Sequence, residues 1–123
     1  MRERFHGLPF VSMPWNGLAS CAGNSPFTIS ASGANADAIR LARVATGRNT
    51  IIVFDGKYHG HLDQTLWSSS EDGSKSADLA GIDPASARSV DVLEYNDVES
   101  LIERLAAKDV AAVLIESVMT NCG

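Results

Sequence analysis

An α/β fold with a mainly parallel sheet is the class this sequence predicts, and three observations predict it. Two short runs, residues 50–54 (TIIVF) and 110–115 (VAAVLI), are almost unbrokenly apolar, the pattern of strands covered on both faces. Each follows a stretch with helical apolar spacing, so helix and strand alternate as parallel crossover units require. A composition of 45% hydrophobic and 20% charged residues over 123 positions suits one folded domain rather than a disordered chain.

The N-terminal lead, residues 1–26, mixes aromatics with Pro, Gly and Asn and shows neither helical nor strand periodicity. It is expected to be irregular, with the working domain at 27–123. Its first residues are basic, but Pro9, Pro14 and Asn16-Gly17 interrupt any apolar stretch before signal-peptide length. No run approaches the roughly 20 apolar residues of a membrane span. Cys21 and Cys122 form no disulfide framework, which favours two free thiols in a reducing compartment. A soluble, cytoplasmic protein is expected. The formal net charge is −5 and the basic residues are scattered, so neither nucleic acid nor an anionic membrane is an expected partner.

Residues 27–30 alternate apolar and polar, a short strand. Ser32 offers an N-cap oxygen to a helix whose buried stripe would be Ala38, Leu41, Ala42 and Ala45, with Gly47 as its left-handed end. The strand at 50–54 follows, then a turn at Asp55-Gly56 and an aromatic loop at 57–61. Residues 68–89, rich in Ser, Gly, Ala and Asp, predict a long exposed loop with little regular structure. Residues 90–95 predict another short strand. Asn96 and Glu99 have the spacing of a capping box, ahead of a helix burying Val98, Leu101, Ile102, Leu105 and Ala106. The strand at 110–115 places Glu116 at its C-terminal end. A parallel sheet closing on that strand would keep an open edge, so the chain is expected to be part of a larger domain.

Three groups of residues carry chemical potential. Ser32-Gly33-Ala34 at a helix start offers unpaired amides and a favourable dipole to an anion, although a capped helix after a tight turn needs the same residues. Tyr58-His59-Gly60-His61 lies beyond a parallel strand, where α/β sheets gather ligands. There Tyr58 is suited to stacking on a planar ring, and either histidine to hydrogen bonding. The His59-x-His61 spacing also occurs in metal hydrolases, but further ligands are not evident and no metal site is assigned. Glu116 and Asn121 beyond the last strand suit polar contacts to a cofactor or substrate, or equally a solvated loop.

Taken in order, these motifs resemble the class III pyridoxal-phosphate aminotransferases, in particular their glutamate-1-semialdehyde aminomutase-like branch. The family's Asn-Ser-Gly-Thr-Glu-Ala is similar to Ala31-Ser32-Gly33-Ala34-Asn35-Ala36. Its helix and helix end resemble Arg40-Leu41-Ala42-Arg43 and Thr46-Gly47-Arg48. Its Tyr-His-Gly-His-x-Asp is matched by Tyr58-His59-Gly60-His61 with Asp63 and Leu66. Tyr95-Asn96-Asp97 and residues 114–123 (LIESVMTNCG) resemble later segments, so the likeness spans about 27–123.

The resemblance implies a fold-type-I pyridoxal-phosphate transferase large domain, incomplete here, in three layers α/β/α. It implies pyridoxal 5'-phosphate as cofactor, with Gly33 and Ala34 amides and Ser32 on its phosphate and Tyr58 stacked on its ring. His59 would lie beside the ring, and Glu116 and Asn121 near the ring oxygen and substrate. Small amino and keto compounds would be the substrates, and a homodimer the complete enzyme. The departures are Ala34 for Thr, Asn35 for Glu, Ser117 for Pro and Thr120 for Gly; they bear on substrate preference. Catalysis by this cofactor needs a lysine on its aldehyde and an acid at its ring nitrogen, and the family places both beyond residue 123. Lys57, Lys75 and Lys108 are the only lysines and none matches that position, so no catalytic residue is assigned and no turnover by these residues alone is expected. The alternative is a non-catalytic α/β module that binds a phosphorylated ligand.

Overall fold

The structure, a computed structural model, describes residues 28–119. At its centre is β1 (Thr50–Phe54). The chain pairs it in parallel with β4 (Val90–Leu93) on one side and β5 (Val110–Val113) on the other, in the order β4-β1-β5. Ile51 stands opposite Val90, and Phe54 opposite Leu93. On the other side Ile52 stands opposite Val113, after a register shift between Thr50 and Ile51.

Because alternate residues of a strand face opposite ways, β1 serves two cores. Ile51 and Val53 join Val90, Trp67 and Ile39 of α1 (Ala31–Thr46). Ile52 and Phe54 join Val110, with Leu101 and Leu105 of α2 (Val98–Leu105) packed against them. The result is the expected α/β/α layering. Ile51, Ile52 and Val53 are fully buried, each contributing about 1.5–3 kcal/mol of burial.

Several local expectations are corrected. Residues 28–30 are not a strand. The Thr28 hydroxyl donates to the Ser30 carbonyl, and Ile29 is fully exposed, so nothing holds the segment extended against the sheet. The helix cap is Ser30, not Ser32: its extended backbone lets Oγ accept from the Gly33 amide at 3.1 Å, and the helix begins at Ala31. The buried stripe is Ala34, Ile39 and Ala42. Ile39, the bulkiest inward side chain, turns the helix so that Leu41 and Ala45 face out. Gly47 does end the helix, at φ +67°, its amide bonded to the Arg43 carbonyl.

The region 68–89 is more ordered than its composition predicts. It carries an antiparallel hairpin of β2 (Trp67–Ser69) and β3 (Lys75–Ala77), and a 3₁₀ helix, Pro84–Ser89. Lysines hold it together. Lys57 Nζ donates to the Trp67 carbonyl and to Asp78, while Lys75 Nζ donates to the Ala87 and Val90 carbonyls. Lastly, Asp97 rather than Asn96 caps α2, accepting from the Ser100 amide at 3.0 Å. Asn96 is left-handed at φ +68°, outside the geometry of a cap. Leu101 and Leu105 turn inward, whereas Val98, Ile102 and Ala106 remain exposed. No helix among the described residues is long and apolar enough to cross a membrane.

Candidate functional site

The parallel strands end together, and the polar groups gather beyond those ends. After β1, Asp55-Gly56 turns the chain into the loop 57–61. The start of α1 meets this loop at three points. The Ser32 hydroxyl accepts from the His61 amide at 3.1 Å, and Asn35 Nδ2 donates to the His59 carbonyl at 2.9 Å. Gly60, at φ +86°, lies so close that a Cβ there would stand 2.3 Å from Ser32 Oγ. Helix start and aromatic loop therefore share one place.

Beyond β5, the Glu116 carboxylate accepts from the Tyr58 amide at 3.3 Å. Tyr95 fixes that end from below, its hydroxyl donating to the Glu116 carbonyl at 3.0 Å while its ring meets Phe54 edge-on. The Tyr58 ring is half-exposed at 49%. Its hydroxyl lies 3.1 Å from His61 Nδ1, and the two rings are nearly perpendicular. Tyr58 is thus half-exposed while its hydroxyl is tethered to His61.

His59 is the electrostatic centre. It is 8% exposed, and its Nε2 has no hydrogen-bond partner among the described residues. Burial holds the imidazole below its ordinary 6.5. The Glu116 carboxylate pulls upward, the Lys57 charge adds to the lowering, and the Leu114 backbone opposes it. An imidazole held down in this way is neutral at pH 7, with one ring nitrogen unsatisfied. Leaving such an atom buried costs about 1–3 kcal/mol, which a ligand group could offset.

The expected site residues Ser32, Gly33, Ala34, Tyr58, His59 and Glu116 fall in this neighbourhood; Asn121 lies outside the described residues. The donor set at the helix start differs from expectation. The Gly33 amide bonds Ser30 Oγ and the Ala34 amide bonds the Ser30 carbonyl, because Ser30 rather than Ser32 is the cap. Among the described residues the Ala31 and Ser32 amides keep no partner, and the Ser32 hydroxyl, which only accepts from His61, still has its proton to donate. His61 is taken up by Tyr58, and the described residues offer no group of three His, Cys, Asp or Glu able to hold a metal. Sequence reasoning missed three supports. Asn35 looked like a mere departure from a motif, and Tyr95 carried only motif likeness. Lys57 was weighed only as a catalytic lysine.

Such an arrangement, polar groups past the carboxyl ends of parallel strands beside a helix start, defines an α/β ligand-binding unit. Its family is more specific: this chain belongs to the class-III aminotransferases, which match residues 12–123. The glutamate-1-semialdehyde 2,1-aminomutase of Rhodopirellula baltica is 41% identical over 97 residues, covering 73% of the chain and 21% of that protein. A solved glutamate-1-semialdehyde aminomutase from Pseudomonas aeruginosa PAO1 superposes with a TM-score of 0.69 at 38% identity, over 76% of this chain and 21% of that one. A lysine-to-alanine variant of that enzyme was solved in complex with PMP. An omega-transaminase from Sphaerobacter thermophilus superposes with a TM-score of 0.61 at 42% identity, over 72% and 23% of the two chains. The chain thus spans about a fifth of the length of the curated relatives it matches.

Proposed function

We propose that this chain supplies the phosphate- and ring-binding part of a pyridoxal-phosphate enzyme of aminomutase or transaminase type, which moves an amino group between amino and carbonyl compounds. The observation that carries this reading is the junction of the α1 start with the 57–61 loop through Ser32, Asn35 and Gly60. It sets anion donors and an open aromatic face side by side. The phosphate would take the Ala31 and Ser32 amides and the Ser32 hydroxyl, and the Gly33 amide once Ser30 Oγ releases it. Tyr58 would cover the ring, His59 Nε2 would meet a polar group at its edge, and Glu116 with Asn121 would face the substrate side. When bound, the cofactor supplies an electron sink; this chain binds, orients and shields it. The amino donor and acceptor would be small molecules; the family resemblance implies a homodimer of the full-length enzyme, and the cysteine usage favours a reducing, cytoplasmic setting.

None of the three lysines serves the site as a covalent partner. Lys57 Nζ is buried against Trp67 and Asp78, Lys75 is engaged within the 75–91 region, and Lys108 precedes β5 at the other end of the sheet. This favours binding without turnover by these residues alone, the lysine coming from elsewhere in the full-length enzyme. Titration with pyridoxamine phosphate, which needs no lysine, tests the proposal through its fluorescence anisotropy. Saturable binding abolished by Tyr58→Ala and weakened by Ser32→Ala is expected. Equal binding of inorganic phosphate, unaffected by Tyr58→Ala, would instead favour a simple phosphate-binding module. No saturable binding of either would overturn both.

A further inference from the structure

One buried charge is not used by the site as described. The Lys57 side chain is 2% exposed, next in sequence to Tyr58, yet it runs away from the aromatic face toward the hairpin. Its ammonium donates to the Trp67 carbonyl and, at 3.2 Å, to Asp78 Oδ2. Asp78 is itself held: Oδ1 accepts from the Ser68 hydroxyl at 2.5 Å, and its amide donates to the Leu66 carbonyl at 3.0 Å. A second tie runs parallel, from the Ser69 amide to Asp55 Oδ1 at 3.3 Å. The turn before Tyr58 is thus clamped onto β2 and β3 by an ion pair with a buried lysine plus hydrogen bonds to backbone groups, in a stretch whose composition predicts a loose loop.

We propose that Lys57 is a positioning residue of this site: through Asp78 and Trp67 it fixes the Tyr58–His59 loop on the hairpin and sets its ion pair near the histidine. Burying an ammonium is costly unless it is paired, and a methionine would fill the same space without that cost. Retaining the charge therefore calls for a role that packing does not supply. The groups facing His59 define that role. Glu116 from beyond β5 favours the imidazolium, Lys57 on its own loop opposes it, and Asp78 on the hairpin screens Lys57. Lys57 adds to burial in keeping His59 a neutral hydrogen-bonding partner beside a carboxylate. Without it, burial alone is left to oppose Glu116 and the Leu114 backbone.

The inference rests on the cofactor-site reading for its purpose but not for its physics, and the test separates the two. In the ligand-free full chain the His59 ring proton is titrated by NMR, assigned by its absence in His59→Gln. Lys57→Met, its fold checked by far-UV circular dichroism, is expected to move the His59 midpoint upward and to weaken pyridoxamine phosphate binding tenfold or more. An unchanged midpoint in folded Lys57→Met overturns the proposal, whether or not the wild-type chain binds the cofactor. If the wild type binds and the variant binds equally well, the positioning role is overturned too. A wild type that fails to bind refutes the cofactor reading and leaves the midpoint to decide on Lys57. Should Lys57→Met not fold, Asp78→Asn decides: looser pyridoxamine phosphate binding, or where the wild type binds none a His59 midpoint displaced from the wild-type value, supports the clamp, and wild-type behaviour refutes it.

Discussion

Replacing Gly60 by alanine should damage this protein more than replacing other left-handed glycines, and the excess can be worked out. Gly60 sits at φ +86°, where an L-residue pays about 1–2 kcal/mol. Gly73, at φ +79° in the hairpin turn, carries the same backbone penalty, but a Cβ there meets nothing within 4 Å. At Gly60 the new Cβ would stand 2.3 Å from Ser32 Oγ and 3.0 Å from Ser32 Cα. The hydroxyl can rotate away; the backbone atom, fixed in α1, cannot. Overpacking of this kind costs about 1–3 kcal/mol, and displacing Ser32 Oγ forfeits its bond from the His61 amide, about 0.5–1.5 kcal/mol. The sum for Gly60→Ala is about 2.5–6.5 kcal/mol, against about 1–2 kcal/mol for Gly73→Ala, in a domain class whose total stability is about 5–15 kcal/mol. Urea unfolding followed by far-UV circular dichroism measures both. Ser32→Gly in the Gly60→Ala background should restore about 1 kcal/mol, because it removes Oγ and Cβ and leaves only the crowding against the α1 backbone. Equal destabilisation at Gly60 and Gly73 would refute the close packing of helix start on loop, and with it the shared site.

Three further outcomes are expected. Gly33→Ala should leave stability unchanged or raise it by up to about 1 kcal/mol, since its Cβ would have no neighbour nearer than 3.4 Å, yet it should weaken pyridoxamine phosphate binding in an anisotropy titration by crowding the anion approach. His59 should make stability pH-dependent: its folded pKa lies below the ordinary 6.5, so the unfolded chain binds the extra proton first. The contribution is then complete above 6.5 and is lost as the pH falls from 6.5 toward the folded value; thermal melts between pH 7.5 and 5 should show it, and His59→Gln should flatten that part of the curve. Asp97→Ala should cost about 1 kcal/mol as a lost cap, whereas Asn96→Gly should be neutral or stabilising because Asn96 is left-handed at φ +68°; chemical denaturation of the pair distinguishes them.

The strands were legible because β1, β4 and β5 are each specified by their own residues. Ile51, Ile52 and Val53 announce burial on both faces whatever surrounds them. The caps were one or two residues off because Ser30 and Ser32, like Asn96 and Asp97, offer near-identical chemistry. Backbone direction set by tertiary contact decided between them. The hairpin was illegible for a stronger reason. Its residues have little strand propensity, and their order depends on Lys57 and Asp55 reaching in from 10 to 21 positions away. Tyr58, His59 and Glu116 were singled out from motif and strand-end position. Asn35 and Tyr95 were not found, because they act on backbone carbonyls, and a carbonyl leaves no mark on the sequence.

The strand order explains why the site forms where it does. From β1 the chain moves to β4 on one side and then crosses to β5 on the other, so β1 and β5 are neighbours and the segments leaving them start at adjacent carboxyl ends, where α/β sheets gather ligands. Tyr58 and His59 leave one strand and Glu116 the other, and the Tyr58 amide bonding the Glu116 carboxylate spans the gap. α1 must run back against β1 to reach it through the short turn at Gly47, which brings its positive end to the same edge. In the proposed function a dianion would take the helix start and a planar group the Tyr58 face, and no role there is assigned to the β2–β3 hairpin. The hairpin reaches the loop through Lys57 and through the Ser69–Asp55 tie. A substitution there should alter how the site holds its ligand while leaving every group proposed to contact that ligand chemically intact.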